Sequence, residues 1–460
     1  MMNGPKLSLG SAVWVGAMVF VSVGTALAQT WTVLDLGPGK AEDINSLGQV
    51  VGDNVGGSYV DEGWLWSDGV RTDIGNLAGQ PTGWTVAFAI NDHGQIVGES
   101  RRADSGMRGF LWQDGVMTEL GVISGSFSKA FELSNLGQVV GKTEAQSGTT
   151  RHGCIWQDGV MSDLAPLPGD DASTAHMVTE SGVVIGYSKP SVSSTSMMSC
   201  VWEDGVVSSL GLFGGTVSEA YGINESKQIV GYYLVEEYYT AYRRGYLWDD
   251  GWWTDLGLLP DANDCRARDI NESGQIVGDS GGRAFLWQNG QLFDLNDLID
   301  PNGEWTLAEA KAINDRGVIV GKGYNPSLGG GSRGFVLYPP DRYALTVTVE
   351  GESGGLPWGH VDIDPFDPNL EYLAGTSITL YAIPHSDSTF EEWIVYDPNH
   401  PDDANHAATS DSNPLTVVMH TDREVTAVFD RRCGCGVEQG TGMLGVMGLM
   451  WLAVPLRRRR

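Results

Sequence analysis

Short runs of alternating apolar and polar residues, separated by turn residues, fill the chain from about residue 30 to 340. In one representative stretch the four runs are AFAIN (87–91), QIVG (95–98), RGFLW (108–112) and VMTEL (116–120). Runs of this length with period-two alternation predict β-strands. No part of this region sustains a helical period of useful length, so the region is predicted to be all-β.

The four-strand pattern recurs at a nearly constant interval. A Val-Gly or Ile-Gly step ends the second run of each unit, and its glycine falls at positions 52, 98, 141, 186, 231, 278 and 321, which are 43 to 47 residues apart. Seven units of this length are typical of a β-propeller or a β-solenoid.

Two tight turns recur within the units. In the first, INDHG, Gly94 is the fourth residue of the turn, a position that usually needs positive φ; Lys227 replaces this glycine in the fifth unit. The second is an Asp-Gly or Asn-Gly pair after a tryptophan, ending at Gly69, Gly115, Gly159, Gly205, Gly251 and Gly290. Such pairs predict two-residue hairpin loops. The turns therefore join strand one to two and strand three to four.

The two ends of the repeat region complement each other. Residues 31–37 (WTVLDLG) resemble a fourth strand but precede the first full unit, whereas the last unit runs from 333 into prolines and lacks a fourth strand. A first strand that completes the last sheet would close a ring and remove its open edges. We therefore predict that residues 29–341 form a seven-bladed β-propeller of four-stranded blades, closed by the N-terminal strand, in preference to a β-solenoid.

The same motifs carry a family resemblance. The INxxGQIVG step, the RAFLW or RGFLW strand and the DLG end resemble the HAF-repeat family of bacterial extracellular proteins over about residues 30 to 340. This resemblance implies export and a repeat fold, and it implies no established enzyme activity.

Alternating runs with Gly and Pro between them continue through residues 342–430 and predict a small all-β domain of about six strands. The Thr-rich first run, the AGTSITL step, the pair Phe390 and Trp393, and the final VTAVF run resemble the divergent InlB B-repeat domain. The resemblance implies a spacer module on a bacterial surface protein.

Both chain ends look like sorting signals. Residues 1–28 have the pattern of a secretory signal peptide, with cleavage expected between Ala28 and Gln29. Residues 431–460 contain Cys433 and Cys435, a 17-residue apolar stretch predicted to be a hydrophobic helix, and four terminal arginines. This tail resembles the Myxo-CTERM class, which implies that Cys433 and Cys435 serve in processing or lipid attachment. A plain membrane anchor is the alternative.

Charge and cysteine content narrow the function classes. The formal net charge is −30, with 58 acidic against 28 basic side chains. A nucleic-acid partner requires a basic face, so none is predicted, whereas a high net charge favours solubility outside the cell. Between the two end segments, Cys154 and Cys200 are interpreted as small buried residues. Cys265 is left over, so no disulfide framework is indicated.

Candidate ligand-binding residues lie in the variable loops that follow the Val-Gly steps. The segment 232–243 is rich in tyrosine, a residue type enriched at interfaces. The predicted binding residues are Tyr232, Tyr233, Tyr238, Tyr239 and Tyr242. The alternative is an extended hairpin in which the tyrosines pack on one another.

Recurring arginines precede the aromatic residue of strand three. Hairpin register places Arg108 diagonally from Glu119, and likewise Arg244 from Asp255 and Arg283 from Asp294. Long side chains reach across such diagonals, so these residues are predicted to form structural ion pairs and not an anion site.

No metal or cofactor is predicted. Asp362, Asp364 and Asp367 could supply a calcium site, and His400, Asp402, Asp403 and His406 could bind a metal, but neither run has a recognised ligand spacing. Solvated loops are the favoured interpretation.

The sequence contains no HExxH, GxSxG or phosphate-loop motif. We therefore expect a non-enzymatic exported protein, anchored at the bacterial cell surface or outer membrane by its tail. Its propeller is expected to bind a glycan or protein through the face with the long loops. Two alternatives remain: a secreted hydrolase that uses a carboxylate pair, and a purely structural envelope component.

Overall fold

The structure is a computed structural model of the 460-residue chain. It describes residues 30–54, 62–79, 83–145, 150–237 and 240–340, and further segments at 342–350, 352–353, 356–357, 359–364, 371–373, 377–385, 388–396, 408–418 and 423–431. By its internal contacts the chain divides into two compact units, with the principal boundary between Arg342 and Tyr343. The described residues contain strands and two short 3₁₀ helices, Leu295–Asp297 and Pro326–Leu328, and no α-helix.

The described residues of the first unit form seven antiparallel sheets of four strands each. A single strand, β1 (Thr32–Pro38), precedes them. Sheets 1 to 3 contain β2 (Lys40–Ile44), β3 (Val50–Asp53), β4 (Gly63–Ser67) and β5 (Val70–Asp73); β6 (Thr85–Ile90), β7 (Ile96–Arg101), β8 (Met107–Gln113) and β9 (Val116–Glu119); and β10 (Ser128–Leu133), β11 (Val139–Ala145), β12 (Thr150–Gln157) and β13 (Val160–Leu164).

Sheets 4 to 6 repeat this order, with each strand paired to the next along the chain. They contain β14 (Ala172–Val178), β15 (Val184–Lys189), β16 (Met198–Glu203) and β17 (Val206–Gly211); β18 (Val217–Ile223), β19 (Ile229–Glu237), β20 (Thr240–Asp249) and β21 (Trp252–Asp255); and β22 (Cys265–Ile270), β23 (Ile276–Ser280), β24 (Arg283–Gln288) and β25 (Gln291–Asp294). The four strands predicted at 87–120 are confirmed as β6 to β9.

The seventh sheet takes its fourth strand from the beginning of the described chain. It consists of β26 (Thr306–Ile313), β27 (Ile319–Tyr324) and β28 (Arg333–Tyr338), with β1 paired antiparallel to β28. Leu34 pairs with Val336, and Arg333 donates to Asp35 over 2.8 Å. The expected position of residues 33–36 beside 333–338 is therefore confirmed.

The recurring Val-Gly step is explained by a close backbone approach in every sheet. Gly98 pairs with Ala87 across the first hairpin of sheet 2, and a side chain on Gly98 would place its Cβ 2.0 Å from the carbonyl oxygen of Val86. The equivalent glycines of all seven sheets leave only 1.9 to 2.1 Å. Only glycine fits there, because any Cβ would overlap this carbonyl oxygen. The first strand bulges just beyond the contact, between Ala87 and Ala89.

Both predicted turns are confirmed. Gly94 has φ of 70°, and Lys227, its counterpart in sheet 5, has φ of 60°. In the second turn Asp114 and Gly115 have φ of 50° and 82°, as a type I′ hairpin loop requires. Lys227 is thus a non-glycine residue with a left-handed backbone conformation.

Asparagines of the first turn link neighbouring sheets. The side-chain amide of Asn45 donates to the carbonyl of Asn91 over 2.9 Å, and that of Asn314 in sheet 7 donates to the carbonyl of Asn45 in sheet 1 over 3.1 Å. Asn91, Asn224 and Asn271 make the same bond to the next sheet. Ser134 and Thr179 occupy this position in sheets 3 and 4.

The three predicted ion pairs are confirmed. Arg108 lies 2.9 Å from Glu119, Arg244 2.9 Å from Asp255, and Arg283 2.5 Å from Asp294. Arg333 and Asp35 form the corresponding pair in sheet 7. Cys154 and Cys200 are buried, as expected, and Cys265 is also buried; all three are free thiols.

Within the segments of the second unit that the structure describes, there are three sheets, of five, three and two strands. Ten strands replace the expected six: β29 (Arg342–Glu350), β30 (Glu352–Ser353), β31 (Leu356–Pro357), β32 (Gly359–Asp364), β33 (Glu371–Leu373), β34 (Ser377–Pro384), β35 (Ser388–Tyr396), β36 (Ala408–Ser410), β37 (Leu415–Val418) and β38 (Arg423–Arg431). Its core includes Leu380, Trp393 and Phe429, with Phe390 5.3 Å from Trp393 between ring centroids.

Replacing Lys227 with glycine is expected to stabilise the first unit, because glycine adopts left-handed φ without the steric cost that Lys227 bears. Lys227 also contacts Glu203 at 2.6 Å on the surface, so Lys227→Ala is the matched control that loses the ion pair and keeps the strain. We expect the Gly variant to melt roughly 2 °C above the Ala variant in thermal unfolding. Equal melting temperatures would contradict the turn assignment.

Candidate functional site

The first strand of each of the seven sheets, here called its innermost strand, contributes residues to a cavity with two compartments. One compartment, of about 240 Å³, lies at the first-turn end and is lined by turn residues that include Asn45, Asn91 and Asn314. The other, of about 230 Å³, lies towards the long-loop end and is lined by residues earlier in the same strands. Asp43, Glu132, Met177 and Asp269 line both compartments and form the waist between them.

An aromatic arc forms one wall of the second compartment. Its members occupy the same position in the innermost strands of sheets 2 to 5: Phe88, Phe131, His176 and Tyr221. Their ring centroids follow one another at 5.8, 5.4 and 5.1 Å, and His176 stacks on Tyr221 with an interplanar angle of 11°. Burial lowers the pKa of His176, and its Nδ1 donates to the carbonyl of Ala220 over 2.9 Å. His176 is therefore a neutral ring in the arc.

The opposite wall, from sheets 6, 7 and 1, is an ion-pair network. Lys311 lies 3.1 Å from Glu309 and 3.5 Å from Glu42, and Arg268 lies 2.5 Å from Glu309. Burial favours the neutral acid, but Lys311 and Arg268 outweigh it and lower the pKa of Glu309. The compartment therefore has one aromatic wall and one charged wall.

The waist carboxylates have a structural role in holding adjacent sheets. Asp43 accepts from the backbone N–H of Ile44 and of Ile90 in the next sheet, both at 2.8 Å. Asp269 does the same for Ile270 and Ile313, at 2.8 and 2.9 Å. The two carboxylates thus link sheet 1 to sheet 2 and sheet 6 to sheet 7 through hydrogen bonds to the backbone. Glu132 accepts from Leu133 over 2.9 Å.

Burial raises the pKa of all three waist carboxyls. The pKa of Asp43 rises to about 6 and that of Asp269 to about 7, with backbone N–H donors opposing the shift. The pKa of Glu132 is raised well above its usual range by burial and by the charges of Asp43 and Asp269. The waist therefore holds fewer than three negative charges near neutral pH.

The tyrosine segment differs from the expected exposure at two of its residues. Tyr232 and Tyr233 were expected on an exposed surface but are buried, at 7% and 5% exposure. The hydroxyl of Tyr232 donates to Glu219 and that of Tyr233 to Asp255, each over 2.8 Å. Both lie in the long β19–β20 hairpin, so the extended hairpin of the alternative interpretation is present. Their rings contact other residues, since Tyr232 lies against Tyr221 and Tyr233 against Phe213.

The other predicted site residues are placed differently. Tyr242 lines a separate cavity of about 210 Å³ with Val235, Arg244, Leu258 and Asn263. Tyr238 and Tyr239 lie outside the described residues. So do the signal cleavage site at Ala28 and Gln29, Cys433 and Cys435, the predicted C-terminal helix, Asp367, and the acidic insertion with His400, Asp402, Asp403 and His406.

Neither a metal-ligating cluster nor a membrane-spanning helix occurs in the described part of the chain. No group of three metal-ligating side chains is found there; Asp362 lies 3.7 Å from His360. Within the same residues no helix has the length and apolar character needed to cross a membrane.

The waist residues were missed at the level of sequence, although a signal for them exists. Asp43, Glu132 and Asp269 each stand nine residues before the glycine of the Val-Gly step. Aligning the repeats on that glycine would have selected these carboxylates from the 58 acidic residues of the chain. Alignment alone would not have shown that two of them bond backbone N–H groups.

One part of the chain matches a known family. Residues 345–433 match the family model of the divergent InlB B-repeat domain, which confirms the resemblance inferred for the second domain. The HAF-repeat resemblance of residues 30–340 and the Myxo-CTERM resemblance of the tail stay predictions. No protein in the comparison with curated proteins matches the chain.

Among solved structures, the chain is similar to TolB from Acinetobacter baumannii, with 11% identity, a TM-score of 0.35, and coverage of 49% of this chain and 54% of that chain. It is similar to the gluconolactonase XC5397 from Xanthomonas campestris, with 13% identity, a TM-score of 0.35, and coverage of 68% and 92%. The β-propeller domain of the Trilobed protease from Pyrococcus furiosus gives 15% identity, a TM-score of 0.39, and coverage of 57% and 86%. The chain thus spans about half the length of the first of these structures. The fold class rests on the chain's own successive four-stranded sheets, which are of β-propeller type.

Replacing Glu132 with glutamine should change how stability depends on pH. Because the pKa of Glu132 is raised on folding, its favourable contribution is present at low pH and is lost as pH rises through the folded pKa. We expect the variant and the natural protein to have similar melting temperatures at pH 4, with the variant increasingly more stable from pH 5 to 8. If the melting temperatures of the two proteins change in parallel over this pH range, Glu132 is not a buried carboxyl with a raised pKa.

Proposed function

We propose that this chain is an exported cell-surface protein whose propeller binds a glycan or protein ligand at the long-loop end of its central cavity. The observation that carries the proposal is the second compartment, where an aromatic wall faces a charged wall. Ligand sites are typically concave and combine apolar surface with a few placed polar groups. In this proposal the cavity takes the place of Tyr232 and Tyr233, which are buried. Tyr238, Tyr239 and Tyr242 stay proposed binding residues.

The proposed architecture is a closed ring of seven blades. Three contacts between sheets 7 and 1 support it: the pairing of β1 with β28, the bond from Asn314 to Asn45, and the ion pair of Lys311 with Glu42. A closed ring fixes the positions of seven innermost strands around one axis, so a ligand would meet a rigid rim.

Export and surface display form the second part of the proposal. The divergent InlB B-repeat domain at 345–433 is of an extracellular type, which favours an extracellular or surface location. The net charge of −30 is compatible with this location. The signal peptide at 1–28 and the anchoring tail at 431–460 remain the proposed means of export and attachment.

A second candidate function, a secreted hydrolase, is favoured by one observation. Asp43, Glu132 and Asp269 meet at the waist, and a carboxyl with a raised pKa is a general acid near neutral pH. Asp43 and Asp269 each accept hydrogen bonds from backbone N–H groups of two sheets. Glu132 is therefore the general acid of the proposed hydrolase.

Binding to glycan and peptide arrays tests the proposal, with Phe131→Leu as the decisive variant. The substitution keeps an apolar side chain but removes the ring face of the arc, and we expect about tenfold weaker binding, as for the loss of one aromatic anchor. Trp252→Leu is the matched control, since Trp252 is 83% exposed on β21, away from the cavity, and should leave binding unchanged. Equal binding by the Phe131 and Trp252 variants would contradict a site in the cavity. Turnover of chromogenic glycosides that is lost in Glu132→Gln would establish the hydrolase instead.

A further inference from the structure

Sheet 3 contains a like-charge pair that no other sheet repeats. The residue after each Val-Gly glycine lies directly across the first hairpin from a residue of the innermost strand, and in sheet 3 these two are Lys142 and Lys129. Like charges directly opposite each other on a sheet destabilise it. A destabilising pair retained beside a cavity is a candidate for a functional role.

The equivalent pairs in the other sheets are compatible. Three are opposite in charge, namely Lys40 with Asp53, Arg266 with Asp279, and Glu309 with Lys322, and each includes an ion pair. Of the other three pairs, Glu219 accepts a hydrogen bond from Tyr232, Thr174 with Tyr187 carries no charge, and Val86 with Glu99 carries only one. The mismatch is therefore specific to sheet 3.

Lys129 forms an ion pair with a neighbouring sheet, whereas Lys142 has no ion-pair partner among the described residues. Lys129 lies 3.2 Å from Glu99 of sheet 2. The Nζ atom of Lys142 lies 5.4 Å from the ring centroid of Phe131, and the structure shows no carboxylate at ion-pair distance from it. The nearby residues 146–149, which fall outside the description, include no acidic side chain. In a chain with 58 acidic side chains, an unpaired lysine at this depth is unusual.

The surroundings of Lys142 are mostly cationic. Lys129, Arg151 and Lys189 act on it with like charge, and Glu99 is the one opposing charge. Burial, Lys129 and Arg151 together lower the pKa of Lys142 to about 8. Phe131, which carries Lys142 over its ring, also lines the cavity, and His176 and Tyr187 continue the aromatic surface at 5.4 Å spacings.

We propose that Lys142 is a specificity residue that binds the carboxylate of an acidic sugar, whose ring packs against Phe131 and its aromatic neighbours. This inference rests on the proposed binding function and names the ligand class. A bound carboxylate would be the counter-ion that Lys142 lacks within sheet 3. Charge-assisted hydrogen bonds are among the strongest polar contacts. An aromatic surface suits the apolar face of a sugar ring, whereas the hydroxyls match the donors and acceptors of Arg268, Lys311 and Glu42 opposite.

The test is isothermal titration calorimetry of the full mature chain with trigalacturonic acid and with its methyl ester. The two probes have the same sugar backbone, but the ester has no charge. We expect the acid to bind at pH 7 and the ester to bind about 10- to 100-fold more weakly, the range for loss of a charged hydrogen bond. Equal affinities would overturn the assignment of Lys142 as an anion-binding residue.

Lys142→Met should weaken binding of the acid by about 10- to 100-fold and leave binding of the ester unchanged. Lys322→Met is the matched control, because Lys322 occupies the same repeat position in sheet 7 and lies 3.9 Å from Glu309. The affinity of this variant for the acid should stay within twofold of that of the natural protein.

Lys142→Glu should abolish binding of the acid and raise the melting temperature, since the new carboxylate lies opposite Lys129. A Lys142→Glu protein that melts lower, or that still binds the acid, contradicts the proposal.

Affinity for the acid should also fall as pH rises from 7 to 9.5, by about tenfold or more, because Lys142 loses its proton across this range. The Lys142→Met variant should lack this dependence. A different outcome is that neutral glycans or peptides bind, with an affinity that falls in Phe131→Leu and does not change in Lys142→Met. The cavity would then be a binding site, but the acidic-sugar inference would be wrong. If array binding is insensitive to Phe131→Leu as well, the proposed function fails with it.

Discussion

The pairing of β1 with β28 is the contact on which the first unit depends. It joins strands about 300 residues apart in sequence, and the ion pair between Asp35 and Arg333 spans a separation of 298 residues. Without β1, the outer edge of sheet 7 would expose an unpaired row of backbone groups. In the proposed closed ring this pairing also sets the positions of sheets 1 and 7, and thus the shape of the cavity between all seven sheets.

The repeat explains why so much of this fold could be predicted from sequence. A glycine at the close approach, a positive φ at the first turn and a two-residue Asp-Gly loop each require particular residues, so each leaves a periodic trace along the chain. The ion pairs followed from register alone. The extra strand at the N-terminus was visible because it matched the fourth strand of every other unit.

The candidate site was less predictable, for physical reasons that particular residues illustrate. Tyr232 and Tyr233 form a conspicuous cluster in sequence, but the long β19–β20 hairpin folds them inwards onto Glu219 and Asp255. Conversely, Phe88, Phe131, His176 and Tyr221 are ordinary strand residues that become a wall only when four sheets meet. The anomaly at Lys142 requires knowledge of which residue lies opposite it. Composition and spacing cannot supply these relations.

A double-mutant cycle on Asp35 and Arg333 tests the central claim most directly. The free energies of unfolding of Asp35→Asn, Arg333→Gln and the double variant would be measured against the natural protein. If β1 completes sheet 7, the two substitutions should couple by about 0.5 to 1 kcal/mol, as partly exposed ion pairs do. Strictly additive effects would mean that the two residues do not meet, and they would contradict both the seventh sheet and the ring proposed from it.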